Sequence, residues 1–140
     1  MLLMACMTMA NAVNKQKAPS KPAQPTKPAD AADAVFIDMS QAFQKGDRKR
    51  LATLLPQAKG HILEPWAAFW ELRLRLGEAS DNEVKSFLQR YAGTYQEDRM
   101  RNDWLLLLGE RREWTQFERE YALYRMRDDK EIECYVKLLE

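Results

Sequence analysis

The stretch from Phe87 to Trp114, FLQRYAGTYQEDRMRNDWLLLLGERREW, constrains the fold of this chain more than any other. Val84, Phe87, Leu88 and Tyr91 recur at i, i+3, i+4 and i+7, which is one face of an α-helix. Gly93 can take the left-handed conformation that ends such a helix. Thr94, followed three residues later by Glu97, is a capping box that opens another. Met100, Trp104, Leu107 and Leu108 then line one face of that second helix. Helix, sharp turn, helix is the building unit of helical repeat arrays.

The same punctuation extends along the chain and predicts seven helical segments, at about 33–45, 48–57, 65–76, 81–92, 95–110, 114–125 and 129–140. The first buries Val35, Phe36, Met39, Ala42 and Phe43 and stops at Gly46; the second, capped by Asp47, buries Leu51, Leu54 and Leu55. The third opens on Pro65 and carries Trp66, Phe69, Trp70, Leu72, Leu74 and Leu76, apolar on more than one face, which implies neighbours on both sides. Ser80 and Glu83 form a capping box for the fourth. Gly109 either ends the fifth or is tolerated inside it. The sixth presents Trp114, Phe117, Tyr121 and Tyr124, the seventh Ile132, Tyr135, Val136 and Leu139. Good helix formers dominate and glycines number only five, so the fold class is all-α.

A loose self-similarity repeats every 31 to 32 residues: Phe43 with Gly46-Asp47, Leu74 with Gly77-Glu78, Leu108 with Gly109-Glu110. That period fits helical hairpins stacked into an α/α superhelix, although the tetratricopeptide consensus is not matched. At Glu140 an apolar face is still running with no C-cap, so the array is expected to be truncated at its C-terminus. Exposure of Ile132, Val136 and Leu139 would then favour self-association.

Three regions follow: a signal peptide over residues 1–12, a linker over 13–31 and the helical part over 32–140. Met1 to Ala12 is an apolar run with small residues, Ala10 and Ala12, at the positions signal peptidase reads, but without a basic start. A span of a bilayer needs about 20 residues, so this run is too short to be one. Export to the periplasm is the first reading. The second is an outer-membrane lipoprotein lipidated on Cys6. Pro19, Pro22, Pro25 and Pro28 put prolines on one edge of a polyproline II helix.

All acidic residues lie at or after Asp30, so that part holds 18 basic against 21 acidic residues, a net charge of −3, and Lys15, Lys17, Lys21 and Lys27 precede it. A domain of that charge is poorly suited to a phosphate backbone, and no nucleic-acid motif is present, so no nucleic-acid partner is expected.

Trp66 to Leu76 (WAAFWELRLRL), Phe87-Leu88 with Arg90-Tyr91, and Gly93-Thr94-Tyr95 with Asp98-Arg99 resemble the N-terminal superhelical domain of soluble lytic murein transglycosylases. So do Arg101-Asn102-Asp103-Trp104-Leu105 with Leu108-Gly109, Trp114 with Phe117 and Tyr121, and Asp128-Asp129 with Cys134-Tyr135. The most specific part is an Arg-x-Asp-Trp-Leu helix, then Leu-Gly, then a Trp-x-x-Phe helix. The resemblance covers about residues 33–140 and marks Trp66, Trp70, Arg101, Asp103, Trp104, Gly109, Trp114 and Phe117 as structural motif residues. It implies a U-shaped array of helical hairpins, a periplasmic address, and peptidoglycan glycan strands as the partner of the full-length protein. The family cleaves between N-acetylmuramic acid and N-acetylglucosamine, leaving an anhydro end, with one glutamate acting as acid and then base. In the family that glutamate sits in a Glu-Ser motif of a lysozyme-like domain. This chain contains no Glu-Ser dipeptide, so no catalytic residue is carried over.

The residues themselves assign no other chemistry. Asp128-Asp129, Glu131, Glu133 and the pair Glu118 and Glu120 could be read as a two-carboxylate glycosidase site, but helix N-terminal charge and solvated faces account for them. Arg99, Arg101, Arg111 and Arg112 read as solvated or i,i+4-paired side chains. The Trp and Tyr residues could stack on sugar rings, and their helical spacing points instead to core packing. Cys134 reads as a small apolar core residue, and His61 sits in a turn-like Lys-Gly-His segment. No metal ligand set or cofactor motif is present, and the rival function is a stand-alone helical-repeat module binding other periplasmic proteins.

Overall fold

The computed structural model describes residues 28–140, with side chains from Ala31 onward. The signal segment with Ala10 and Ala12, Cys6, and the linker up to Lys27 lie outside the described residues. Seven α-helices are described: α1 (Pro28–Gln44), α2 (Arg48–Leu54), α3 (Glu64–Leu74), α4 (Asp81–Arg90), α5 (Tyr95–Glu110), α6 (Trp114–Tyr121) and α7 (Lys130–Leu139). There is no strand among the described residues, and none of their helices is long and apolar enough to cross a membrane.

Local chemistry sets most of the boundaries. Asp47 caps α2 by accepting from the Arg50 amide at 2.9 Å. Ser80 and Glu83 close a complete capping box at the start of α4. At α5, Thr94 Oγ1 accepts from the Glu97 amide, while the Glu97 carboxylate reaches one residue further back, to the Gly93 amide at 3.0 Å. Gly93 has φ +83°, the left-handed conformation anticipated for it. Three boundaries differ from expectation, and one is the end of α6, which stops at Tyr121 rather than near residue 125. α1 starts at Pro28, inside the stretch read as linker, because proline has no amide to lose at a first helical position. α2 stops at Leu54 and tightens into a 3₁₀ turn, Leu55–Ala58, because Pro56 cannot continue the ladder.

The odd-numbered helices run parallel. Phe36 in the middle of α1 lies beside His61 just before α3, and Phe43 at its end stacks on Trp70. Trp66 meets Tyr95 at the starts of α3 and α5, and about two turns further along both helices Arg73 meets Asp103. Asn102 reaches Asp129, the N-cap of α7, and Gly109 faces Tyr135 nearly two turns further along both helices. α2 and α6 run back against α1 and α5, as the pairs Asp38–Arg50 and Arg101–Glu120 show, whereas α4 packs on α5 and is tied to α3 by ion pairs such as Glu64–Arg90.

Two buried clusters result. Phe36, Met39, Ala42, Leu51, Leu54, Ala58 and Ala67 form the N-terminal one. The larger one gathers Phe69, Leu72, Val84, Leu88, Met100, Trp104, Leu108, Phe117, Tyr124 and Ile132 from α3 onward. Helix α3 serves both, with Ala67 turned to the first and Phe69 and Leu72 to the second, as its two-sided apolar pattern requires. Trp70 packs on both clusters from their boundary.

The expected exposure of the last helix is corrected here. Ile132 is 0% exposed, and Val136 and Leu139 are partly covered against α5 and α6; Leu138, on the opposite side, is 74% exposed. Cys134 is exposed rather than in the core, because it falls on the flank of α7 away from Ile132 and Tyr135. Gly109 lies inside α5, which runs to Glu110; past the cap residue Arg111, Arg112 takes the left-handed region at φ +57°. The reason is steric: a Cβ on Gly109 would sit 2.5 Å from Tyr135 Cε2 and 2.8 Å from its Cγ. Gly109→Ala is therefore expected to destabilise by about 1–2 kcal/mol, overpacking outweighing the roughly 1 kcal/mol that alanine gains over glycine in a helix. Equilibrium urea unfolding checks this. The companion variant Tyr135→Ala should turn the same substitution into a stabilising one, a coupling that a double-mutant cycle reads directly.

Candidate functional site

Helices α3 and α4, with the 3₁₀ turn, line a groove of about 580 Å³. Its floor is Leu55, Pro56, Ala68, Leu72 and Phe87. Ion pairs clasp it at both ends. At one end Glu64 accepts from Arg90 at 2.6 Å, from the Tyr91 hydroxyl at 2.9 Å and from the Gly60 amide at 2.6 Å. At the other, Arg75 donates to Glu71 and Glu83, each at 2.6 Å. An apolar floor with a few polar groups at the rim is the usual make-up of a ligand cleft.

The electrostatics of the clasps favour their charged forms. Glu64 is held below its ordinary value chiefly by the Gly60 amide, with Tyr91 and Arg90 adding to it against burial. Glu83 is lowered to about 2, first by the Ser80 amide and then by Arg75. The Tyr91 hydroxyl is pushed up to about 12 by burial and by Glu64. A carboxylate depressed in the folded state stabilises it above the unfolded value and loses that contribution as pH falls through the folded one. Thermal midpoints are thus expected to fall as pH drops below about 4.5, and Glu64→Gln should flatten that acid limb. A midpoint unchanged between pH 5 and pH 3 would contradict the clasp.

The residues marked by the resemblance fall into three groups around α5. Trp66 and Trp70 stand in a row of aromatic rings, Phe43, Trp70, Trp66 and Tyr95, spaced 6.1, 5.9 and 5.8 Å apart across α1, α3 and α5. Asp103 lies between Arg73 and Arg99. Arg73 Nε is 2.8 Å from its Oδ2 but out of line for a hydrogen bond, so the contact is coulombic. Burial raises the Asp103 carboxyl despite both guanidinium groups. Trp104 is buried in the main cluster, and Gly109 receives the Tyr135 ring. Trp114 and Phe117 pack edge-on to each other, and both meet Tyr135.

Arg101 is the largest correction among these residues. It does pair with Glu97, at 2.5 Å and four residues away, but it is not solvated: it is 5% exposed and also binds Glu120 on α6. Glu120 is likewise buried rather than on a solvated face, because α6 turns it toward α5. Around this pair lies a polar knot that sequence reasoning missed. Asp98 accepts from the amides of Arg125 and Met126 at 3.0 and 2.7 Å and so fixes the turn between α6 and α7. The Tyr124 hydroxyl donates to Asn102 Oδ1 at 2.6 Å, and burial and Asp128 raise it to about 12. No local pattern announces such a knot, because its partners are 19 to 28 residues apart in sequence.

Most of the carboxylates weighed for acid–base chemistry have structural duties. Asp129 caps α7, Glu120 binds Arg101, Glu133 accepts from Tyr121, and Glu131 accepts from Tyr135. No group of three or more His, Cys, Asp or Glu side chains among the described residues is arranged to hold a metal ion. No protein-family model matches the sequence, and neither a curated protein nor a solved structure matches it.

Proposed function

We propose that this chain is a binding and positioning scaffold of the bacterial cell wall: a stretch of the superhelical part of a periplasmic lytic murein transglycosylase, built of stacked helical hairpins and lacking cleaving machinery of its own. The observation that carries this reading is the placement of the motif residues. Arg101, Asp103, Trp104 and Gly109 all lie on α5, and they tie it to α6, α3, the core and α7 in turn. A motif conserving those four joints describes one way of stacking hairpins. Parallel odd helices, with α1 and α5 each followed by a returning partner, fit a solenoid better than a bundle.

In this reading glycan strands lie along the groove between α3 and α4, where Tyr91 offers a ring face and the Glu64 and Arg75 clasps offer hydrogen bonds. Purified peptidoglycan sacculi test it by co-sedimentation. The protein should be retained, Tyr91→Ala should weaken retention several-fold, and no soluble fragments should appear. Absence of retention would turn the balance to the second reading, a helical-repeat module that binds other proteins. An apolar groove at the α6–α7 end favours that alternative.

A further inference from the structure

Because the odd-numbered helices run parallel, the turns that lead into α3, α5 and α7 lie together at one end of the array, the end where α1 also begins. Hydrogen bonds hold these turns side by side. Glu64 accepts from Arg90 and from the Tyr91 hydroxyl, and Arg125 donates to the Thr94 carbonyl at 3.2 Å. Of the six large apolar side chains exposed among the described residues, four stand in these turns or at their edge: Ile62 at 87%, Leu63 at 41%, Tyr95 at 55% and Leu123 at 60%. The turns at the opposite end, which follow α1, α3 and α5, expose none. Single exposed apolar residues are ordinary, but their concentration at one end is not.

The charge of this end is equally one-sided. Residues 59–63, 91–95 and 122–127 hold three lysine or arginine side chains, Lys59, Arg125 and Arg127, and no carboxylate. The chain from Asp30 onward, by contrast, carries 18 basic against 21 acidic residues. Arg127 is held by the Tyr124 carbonyl and the Tyr121 side chain rather than by an acid. Arg125 pairs with Glu97, and its side chain stays 53% exposed.

We infer that this end of the array is a docking surface for an anionic lipid bilayer. Ile62 and Leu123 enter the boundary between headgroups and acyl chains, and Lys59 and Arg127 meet lipid phosphates. Tyr95 lies at headgroup depth, where an amphipathic ring is favoured. The apolar side chains stand on three separate turns rather than along one helix face, which suits insertion into a fluid interface better than packing against a fixed protein surface. The inference stands whether or not the α3–α4 groove takes glycan.

Flotation of the full chain with lipid vesicles tests it. Vesicles of phosphatidylcholine with about 30% phosphatidylglycerol should bind at least about tenfold more protein than phosphatidylcholine alone, and added salt should reduce the bound fraction. Ile62→Ser and Leu123→Ser should each weaken binding several-fold with the thermal midpoint unchanged, and Lys59→Glu should weaken it through charge. Leu138→Ser is the control. Leu138 is 74% exposed but lies near the end of α7, at the opposite end of the array, so its loss should leave binding unchanged. Spin-labelled lipid should broaden the amide resonances of Ile62, Tyr95 and Leu123 and spare those of Gly77 and Arg112. Equal binding to neutral and anionic vesicles, or binding to neither, would overturn the inference. So would binding that Ile62→Ser and Leu123→Ser keep in full, or that Leu138→Ser weakens as much as they do.

Discussion

Replacing Trp104 with alanine is expected to cost about 3–5 kcal/mol, the range for removing a large aromatic side chain from a packed interior. Trp104 is 1% exposed and sits in the cluster where α3, α4, α5, α6 and α7 converge, with Leu72, Val84, Leu88, Phe117 and Ile132 among its members. A domain of this kind is stable by only about 5–15 kcal/mol, so the loss takes the chain close to unfolding. The cavity cannot collapse easily, because its walls belong to different helices, and α3, α4, α5 and α6 are each held elsewhere by an ion pair. Urea unfolding followed by far-UV circular dichroism should show a lower midpoint at an unchanged slope. Trp104→Phe should cost clearly less. A loss below about 1 kcal/mol for the alanine variant would mean that the helices do not converge on this side chain.

Arg101→Ala is expected to cost a comparable amount, about 3–5 kcal/mol, for a different reason. It removes the only guanidinium that reaches both Glu97 and Glu120 and leaves two nearly buried carboxylates facing a low-dielectric interior. Burial pushes Glu97 upward, yet Arg101, the Gly93 amide and Arg125 together hold it below its ordinary value. With Arg101 gone, Glu97 should regain a proton at higher pH, and the destabilisation should shrink on acidification. The converse also follows. Buried ion pairs are costly to desolvate, and Arg101 Nε has no partner, so the network is not fully satisfied. The double variant Arg101→Met, Glu120→Leu should accordingly recover most of the loss. Equal instability of the double and single variants would show that the pair contributes net attraction rather than mutual protection.

The local parts of this fold were legible in the sequence because their determinants are local. Asp47, the Ser80–Glu83 box, Gly93 and Pro65 act within four residues, and each does what its position predicts. The helical period placed Met100, Trp104 and Leu108 on one inward face, as found. What stayed hidden depends on partners supplied by other helices. Gly109 reads equally well as a stop or as an interior residue until Tyr135 is brought against it. Arg101 and Glu120 look like surface charges until the α5–α6 turn closes and buries them together. Cys134 is the exception. Its phase relative to Ile132 and Tyr135 already placed it outward, and the usual burial of cysteine pointed the wrong way. The α3–α4 groove is invisible in either periodicity, because it is lined jointly by two helices that each look ordinary alone.

The scaffold reading depends on parallel stacking of the odd-numbered helices, and a nuclear Overhauser spectrum of the aromatic protons tests that most directly. Three contacts carry it: Phe43 with Trp70, Trp66 with Tyr95, and the α-protons of Gly109 with the Tyr135 ring. All three cross-peaks should be present together in the monomeric protein and disappear together on unfolding. A helical, cooperatively folded chain that shows Trp104 buried but none of these three contacts would be packed as a different bundle, and the account would fail with it.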